Sequence, residues 1–180
     1  MIAGYPASGL RAVFEMLARA DADHSDDGMV ALIPRAVDLA PFLVPGGEPL
    51  EEMHVTIQYF SDIASIDPTR LIRRLDELSS MTPAIQARVM GHATFNPDGG
   101  PDGTMDPCAV YLVSDSKDLE DLSYLIRSEF PSPKAHAPWL AHMTAGYGID
   151  ASALRAVGPL VFDRIRLALG DDFQDFPLLT

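Results

Sequence analysis

The chain has 180 residues, 47% of them hydrophobic and 22% charged, enough for one compact domain with a substantial core. Thirteen Lys and Arg against 26 Asp and Glu leave a formal charge of −13, which disfavours long nucleic acid because tight duplex binding draws on many cationic phosphate contacts. A small anion is still admissible, since a local pocket can oppose the global field.

In chain order, residues 7–20 carry apolar side chains at helical spacing, at Leu10, Val13, Phe14 and Leu17. The acidic, glycine-terminated stretch from Asp21 to Gly28 follows and has the character of a linker. Residues 1–27 are accordingly expected to be an appendage: a docking helix, an oligomer contact or the remnant of a larger fusion. Oligomeric state is left open. The N-terminus lacks a secretory signal pattern and no apolar run reaches membrane-spanning length. A cytoplasmic protein without membrane partners is expected.

The main domain, residues 28–180, opens with the short apolar run Met29 to Ile33, a strand ended by Pro34. Met53 to Phe60 alternates as a second strand. Asp67 caps a helix with Pro68 in its first turn and a stripe of Leu71, Ile72, Leu75 and Leu78. Ala84 to Phe95 is a long strand, and Asn96 to Asp106 a loop of turn-forming residues. The lone Cys108 excludes an intrachain disulfide and a cysteine-based zinc site, and opens the strand Ala109 to Val113 as a buried residue. Ser116 to Phe130 is a helix with Leu119, Leu122, Leu125 and Ile126 inward, stopped by Pro131. Trp139 to Tyr147 is a strand, and a last strand pair lies within Leu160 to Leu169 and the tail. Strand, helix and strand recur in each half without a regular βαβ rhythm. The expected class is α+β, with two similar lobes sharing a sheet or facing one another.

Two strand segments share the pattern H-x-T-x-x-Y: His54-Val55-Thr56-Ile57-Gln58-Tyr59 and His142-Met143-Thr144-Ala145-Gly146-Tyr147. Side chains alternate across a strand, so each His and Thr share a face. Strict alternation puts Tyr59 and Tyr147 on the opposite, apolar face with Val55, Ile57, Met143 and Ala145. If both polar faces line one cleft, two imidazoles and two hydroxyls converge. Phosphodiester cleavage needs such a set: a base for water or a ribose hydroxyl, and an acid for the leaving oxygen. One neutral and one protonated imidazole can coexist near pH 7. The hydroxyls can donate to non-bridging oxygens, and no metal or cofactor is called for.

Five histidines and seven threonines give about 0.2 H-x-T triplets by chance, whereas three occur, although short motifs do arise spuriously. The third, His92-Ala93-Thr94, lacks the tyrosine and is assigned to a neighbouring strand outside the primary catalytic set. Arg88 is in phase with His92 and is weighed as a residue reaching the cleft. Trp139, the only tryptophan, is a candidate for stacking on a base and otherwise a core residue. Lys134 and His136, in the proline-rich loop before the second motif, are candidate phosphate contacts. Tyr59 and Tyr147 are kept as candidate substrate contacts beside their motifs. His24 is incidental. Asp98, Asp102 and Asp106 lack the closing glutamate of a calcium loop.

The segments LEEMHVTIQYFSD (50–62) and PWLAHMTAGYG (138–148) resemble the paired H-x-[ST] motifs of the two-histidine (2H) phosphoesterase superfamily. That group includes LigT-like RNA ligases, cyclic phosphodiesterases and phage enzymes that degrade cyclic oligonucleotide immune signals. The resemblance runs from about residue 28 to 180 and includes VMGHATFNP. It implies a bilobal, pseudo-twofold-symmetric α+β domain with antiparallel sheets around a central cleft and helices outside. It implies catalytic roles for His54, Thr56, His142 and Thr144. The expected activity is metal-independent hydrolysis of a small cyclic nucleotide, cyclic oligonucleotide or 2′,3′-cyclic phosphate. The alternatives are RNA end processing or 2′-5′ ligation, and a nucleotide-binding module without turnover.

Overall fold

In a computed structural model of the chain, the described residues are 26–99, 106–133, 138–170 and 172–180. The helix expected over 7–20 lies outside them. Among the described residues, seven strands and three α-helices follow in the order β1 (Gly28–Pro34), α1 (Ala36–Leu39), β2 (Val55–Phe60), α2 (Pro68–Ser79), β3 (Ile85–Phe95), β4 (Cys108–Ser114), α3 (Lys117–Glu129), β5 (His142–Tyr147), β6 (Gly158–Leu169) and β7 (Asp172–Pro177).

The strands form one antiparallel sheet in the order β1-β2-β5-β4-β3-β6-β7, with β1 also paired to β6. Long β6 is the common spine. Its first half pairs with β3, and its second half lies between β1 and β7. Two half-sheets result, β2-β1-β6-β7 (lobe A) and β5-β4-β3-β6 (lobe B). Their other junction is a single pair, Val55 with Met143. The expected α+β architecture of two related lobes is what the chain adopts.

Helices α2 and α3 cover one face. Asp67 caps α2 by accepting the Arg70 amide at 3.1 Å, and Ser116 caps α3 by accepting the Leu119 amide at 3.3 Å. Each such cap contributes about 1 kcal/mol. Leu71, Leu75 and Leu78 of α2 and Leu119, Leu122 and Ile126 of α3 are buried against β6, β7, β2 and β3. Each fully buried leucine or isoleucine contributes roughly 1.5–3 kcal/mol. Leu125 departs from expectation at 39% exposed: the buried arc of Leu119, Leu122, Ser123 and Ile126 centres between Leu119 and Ile126, and Leu125 lies beyond its Leu122 edge. Arg74 of α2 ties to α3 with Nε and Nη2 on the Glu129 carboxylate at 2.9 and 2.7 Å.

Register shifts recur at corresponding places. In β2, Thr56 pairs with Ala31 and Gln58 with Val30, so Ile57 is an extra residue. In β5, Thr144 pairs with Val110 and Gly146 with Ala109, so Ala145 is extra. Strand β3 carries a surplus Met90 and β6 a surplus Asp163. Each is a β-bulge, which reverses the facing of every residue beyond it. Two consecutive buried residues mark the first pair, Ile57-Gln58 and Ala145-Gly146. Gln58, turned toward the helices, gives its amide Nε2 to the carbonyl of Phe130 at 2.7 Å. Gly146 occupies the equivalent place, where an added Cβ would lie 2.9 Å from the Gly47 Cα.

Candidate active site

The H-x-T segments meet where the lobes join. Val55 and Met143 pair directly and both are fully buried on the helix side. In an antiparallel ladder, His54 then stands opposite Thr144, and Thr56 opposite His142, all four on the helix-free face. A local twofold axis through the Val55–Met143 pair relates the two segments. Because no further pair forms, β2 and β5 splay on either side, and the freed edge of β2 is satisfied elsewhere. The Trp139 indole N–H donates to the Thr56 carbonyl at 3.1 Å. Trp139 packs against the core, with the Arg127 guanidinium 5.9 Å from its ring centroid. The strand expected to start at Trp139 begins at His142, because residues 139–141 make this crossing instead.

Both imidazoles are held the same way. His54 Nδ1 lies 2.6 Å from the Glu52 carbonyl, and His142 Nδ1 lies 2.8 Å from the Leu140 carbonyl. A carbonyl only accepts, so Nδ1 carries the proton in each ring and Nε2 is the second site of protonation. Burial pushes the His54 pKa down, and the charges of His142 and Arg166 push the same way against the hydrogen bond to Glu52. His54 is therefore the neutral imidazole at pH 7. The His142 ring leans on Phe95, with centroids 4.7 Å apart at 58°.

The Thr56 hydroxyl points to the Met29 sulfur at 3.3 Å, a weak acceptor that surrenders the proton easily. The bulges correct the expectation from strict alternation for both tyrosines. Tyr59 pairs with Met29 and Tyr147 with Cys108, which puts them on the histidine face, half-buried. Tyr59 donates its hydroxyl to Asp27, and burial followed by that bond raises its pKa. Burial, with the nearby charges of Cys108, Glu48 and Asp106, pushes the Tyr147 pKa up to about 12, so it remains a protonated donor.

His92 lies on the other face, paired with Tyr111. Its Nε2 is 2.7 Å from the Ala156 carbonyl, and its ring meets Tyr111 edge-on at 5.6 Å. The surplus Met90 separates Arg88 from His92, so Arg88, paired with Ser114, faces the histidine side while His92 does not. Lys134 and His136 lie outside the described residues.

Two residues of this face escaped the sequence reading. Phe95 sits beside His142. Arg166 joins the row Thr56, Ala31, Arg166, Asp175 across four strands. The signal for Arg166 was available in Arg164-Ile165-Arg166-Leu167, an alternation with one cationic face.

Comparison with solved structures finds the same fold at low sequence identity. TT0787 of Thermus thermophilus matches with a TM-score of 0.56 at 15% identity, covering 84% of this chain and 97% of that one. Apo LigT of E. coli matches at 0.55 and 13%, covering 85% and 94%. Usb1 of Kluyveromyces marxianus matches at 0.53 and 11%, covering 85% and 98%. No curated protein matches by sequence. The family model of the 2′-5′ RNA ligase superfamily matches residues 39–170. With two H-x-T strands meeting about a local twofold axis in this fold, the chain belongs to the 2′-5′ RNA ligase superfamily, among the two-histidine phosphoesterases.

Proposed function

We propose that the chain is a phosphodiesterase that opens a small cyclic nucleotide-type phosphodiester by two-histidine acid–base catalysis. The observation that carries this reading is the single Val55–Met143 pair, which sets one neutral imidazole and a second imidazole on the same face. His54 Nε2 takes a proton from water, whose oxygen attacks phosphorus. The P–O bond to the ribose breaks, and His142, protonated at Nε2, gives its proton to the leaving oxygen. The sum is one water added across the ester. Thr56 and Thr144 donate to the non-bridging oxygens as negative charge grows there. Tyr59, Tyr147 and Trp139 belong to the surrounding wall, with Trp139 positioning Thr56 through its backbone.

A compact substrate is favoured by the charge of −13. LigT of E. coli, which shares the fold, has been solved with NADP+ and with ATP, and nucleotides of that size fit this reading. Candidates are cyclic mononucleotides, the cyclic oligonucleotides of antiviral signalling, and 2′,3′-cyclic phosphate ends. We place the protein in the cytoplasm and the appendage over residues 1–27 outside the catalytic unit, except for Asp27, which accepts the Tyr59 hydroxyl. The family match favours one second reading, RNA end processing or 2′-5′ joining.

A panel of cyclic mono-, di- and trinucleotides and 2′,3′-cyclic ends, followed by mass spectrometry, tests this against the His142→Ala protein. Ring-opened product formed only by the parent protein, and undiminished by EDTA, is expected. Intact ligand recovered stoichiometrically would favour a binding module, joined ends would favour a ligase, and loss of turnover in EDTA would remove the mechanism. The rate should rise with pH through the depressed His54 pKa, below the ordinary imidazole value of about 6.5. It should fall again as His142 loses its proton. A monotonic alkaline rise would contradict that assignment.

A further inference from the structure

Superposing the two lobes by strand pairing shows where their symmetry fails. In lobe B, Thr144 pairs through Val110 to Ala93, and His142 pairs through Leu112 to Gly91. In lobe A, the place of Ala93 is taken by Arg166, two strands from Thr56. Arg164 stands where lobe B has Gly91. A pair of residues with almost no side chain thus corresponds to two arginines on the histidine face.

Arg166 is held firmly. Its Nε and Nη2 meet the two Asp175 oxygens at 2.7 and 2.9 Å, and its guanidinium lies 4.5 Å from the Phe173 ring centroid. Its side chain is only 16% exposed. That fork orients the group and leaves Nη1 without a protein partner among the described residues. A planar, fixed guanidinium with donors to spare suits a phosphate oxygen.

We propose that Arg166 is a substrate-binding residue of lobe A that offers Nη1 to a phosphate oxygen of the substrate. The inference rests on the phosphodiesterase reading above. It makes lobe A the phosphate side of the site and fixes the orientation of a substrate within a nearly symmetric fold. Among the described residues, the charged and titratable groups on the histidine face are His54 itself, His142 and Tyr147 of β5, Arg164 and Arg166 of β6, Asp175 of β7, Arg88 of β3, Cys108 of β4, and the Tyr59–Asp27 pair. The Arg166 charge also helps to keep His54 unprotonated.

The test is calorimetric titration of adenosine 2′,3′-cyclic phosphate into the turnover-silent His142→Ala protein, with and without Arg166→Met. The expected result is a Kd weakened roughly tenfold or more, a shallower salt dependence, and partial recovery with Arg166→Lys. Uncharged adenosine should bind both proteins equally. Turnover-competent Arg166→Met should also show the acid limb of kcat/KM displaced to higher pH, because removing a cation raises the His54 pKa. A Kd within twofold of the parent, or adenosine affinity lost in parallel, overturns the proposal while leaving the two-histidine reading intact. Undiminished turnover by the His54→Ala and His142→Ala proteins, or no binding of any member of the cyclic nucleotide panel by the parent protein, overturns both.

Discussion

Lobe A and lobe B hang different side chains on the same backbone plan. Each brings a strand with H-x-T to the junction, and each bulges at the residue after the threonine. In lobe A the bulge turns Gln58 inward, where its amide must find the Phe130 carbonyl. In lobe B it turns Gly146 inward, where there is no room for a side chain. Tyr59 is occupied by Asp27, whereas the Tyr147 hydroxyl has no hydrogen-bond partner among the described residues. Lobe A lays arginines beside its threonine, and lobe B lays Gly91 and Ala93 there with Phe95 at the end of the strand. The histidine pair obeys the symmetry and the surroundings break it, as expected if two equivalent proton carriers act on a substrate with unlike ends.

The largest effect should come from the elements that the lobes share. His54→Ala and His142→Ala should each lower kcat/KM by about 10²–10⁴-fold, and the double variant should be little worse than either single one. Steady-state kinetics with the parent's best substrate decides this. A large loss from only one of them would show that the lobes are not chemical equals.

The next effect separates the two bulges. Gly146→Ala should destabilise the fold by roughly 1–3 kcal/mol, since the new Cβ is opposed by backbone as well as by the Ile149 side chain. Gln58→Ala should cost about 1–3 kcal/mol for another reason, the buried Phe130 carbonyl left without its donor. Denaturant midpoints measure both. Restoration by Gln58→Glu at low pH, where a protonated carboxyl can donate, would sharpen the distinction.

The smallest effect distinguishes the tyrosines. Tyr59→Phe should lower stability by about 1 kcal/mol and leave KM unchanged. Tyr147→Phe should leave the Tm unchanged and shift KM a few-fold. Equal behaviour of the two would erase this asymmetry between the lobes.

The His and Thr pairs were legible in the sequence because a two-residue spacing survives any twist of the strand. The helices were legible too, through Asp67, Ser116 and their leucine stripes. The facing of Tyr59, Tyr147 and Arg88 was not, because each lies across a bulge from the residue used to orient it. A bulge arises from the partner strand and leaves no fixed local pattern. Arg166 is not legible as a site residue because its neighbours in space, Thr56 and Asp175, are linked to it only by strand register.

Asp163 has a larger consequence than its modest contacts suggest. This surplus residue lets β6 bury Leu160 and Phe162 while pairing with β3, and Ile165 and Leu167 while pairing with β1. Deleting it would send both arginines into the oily interior and turn two aliphatic chains out to water. Substitutions can adjust this face one group at a time, but the loss or gain of a single codon there would invert half of it at once.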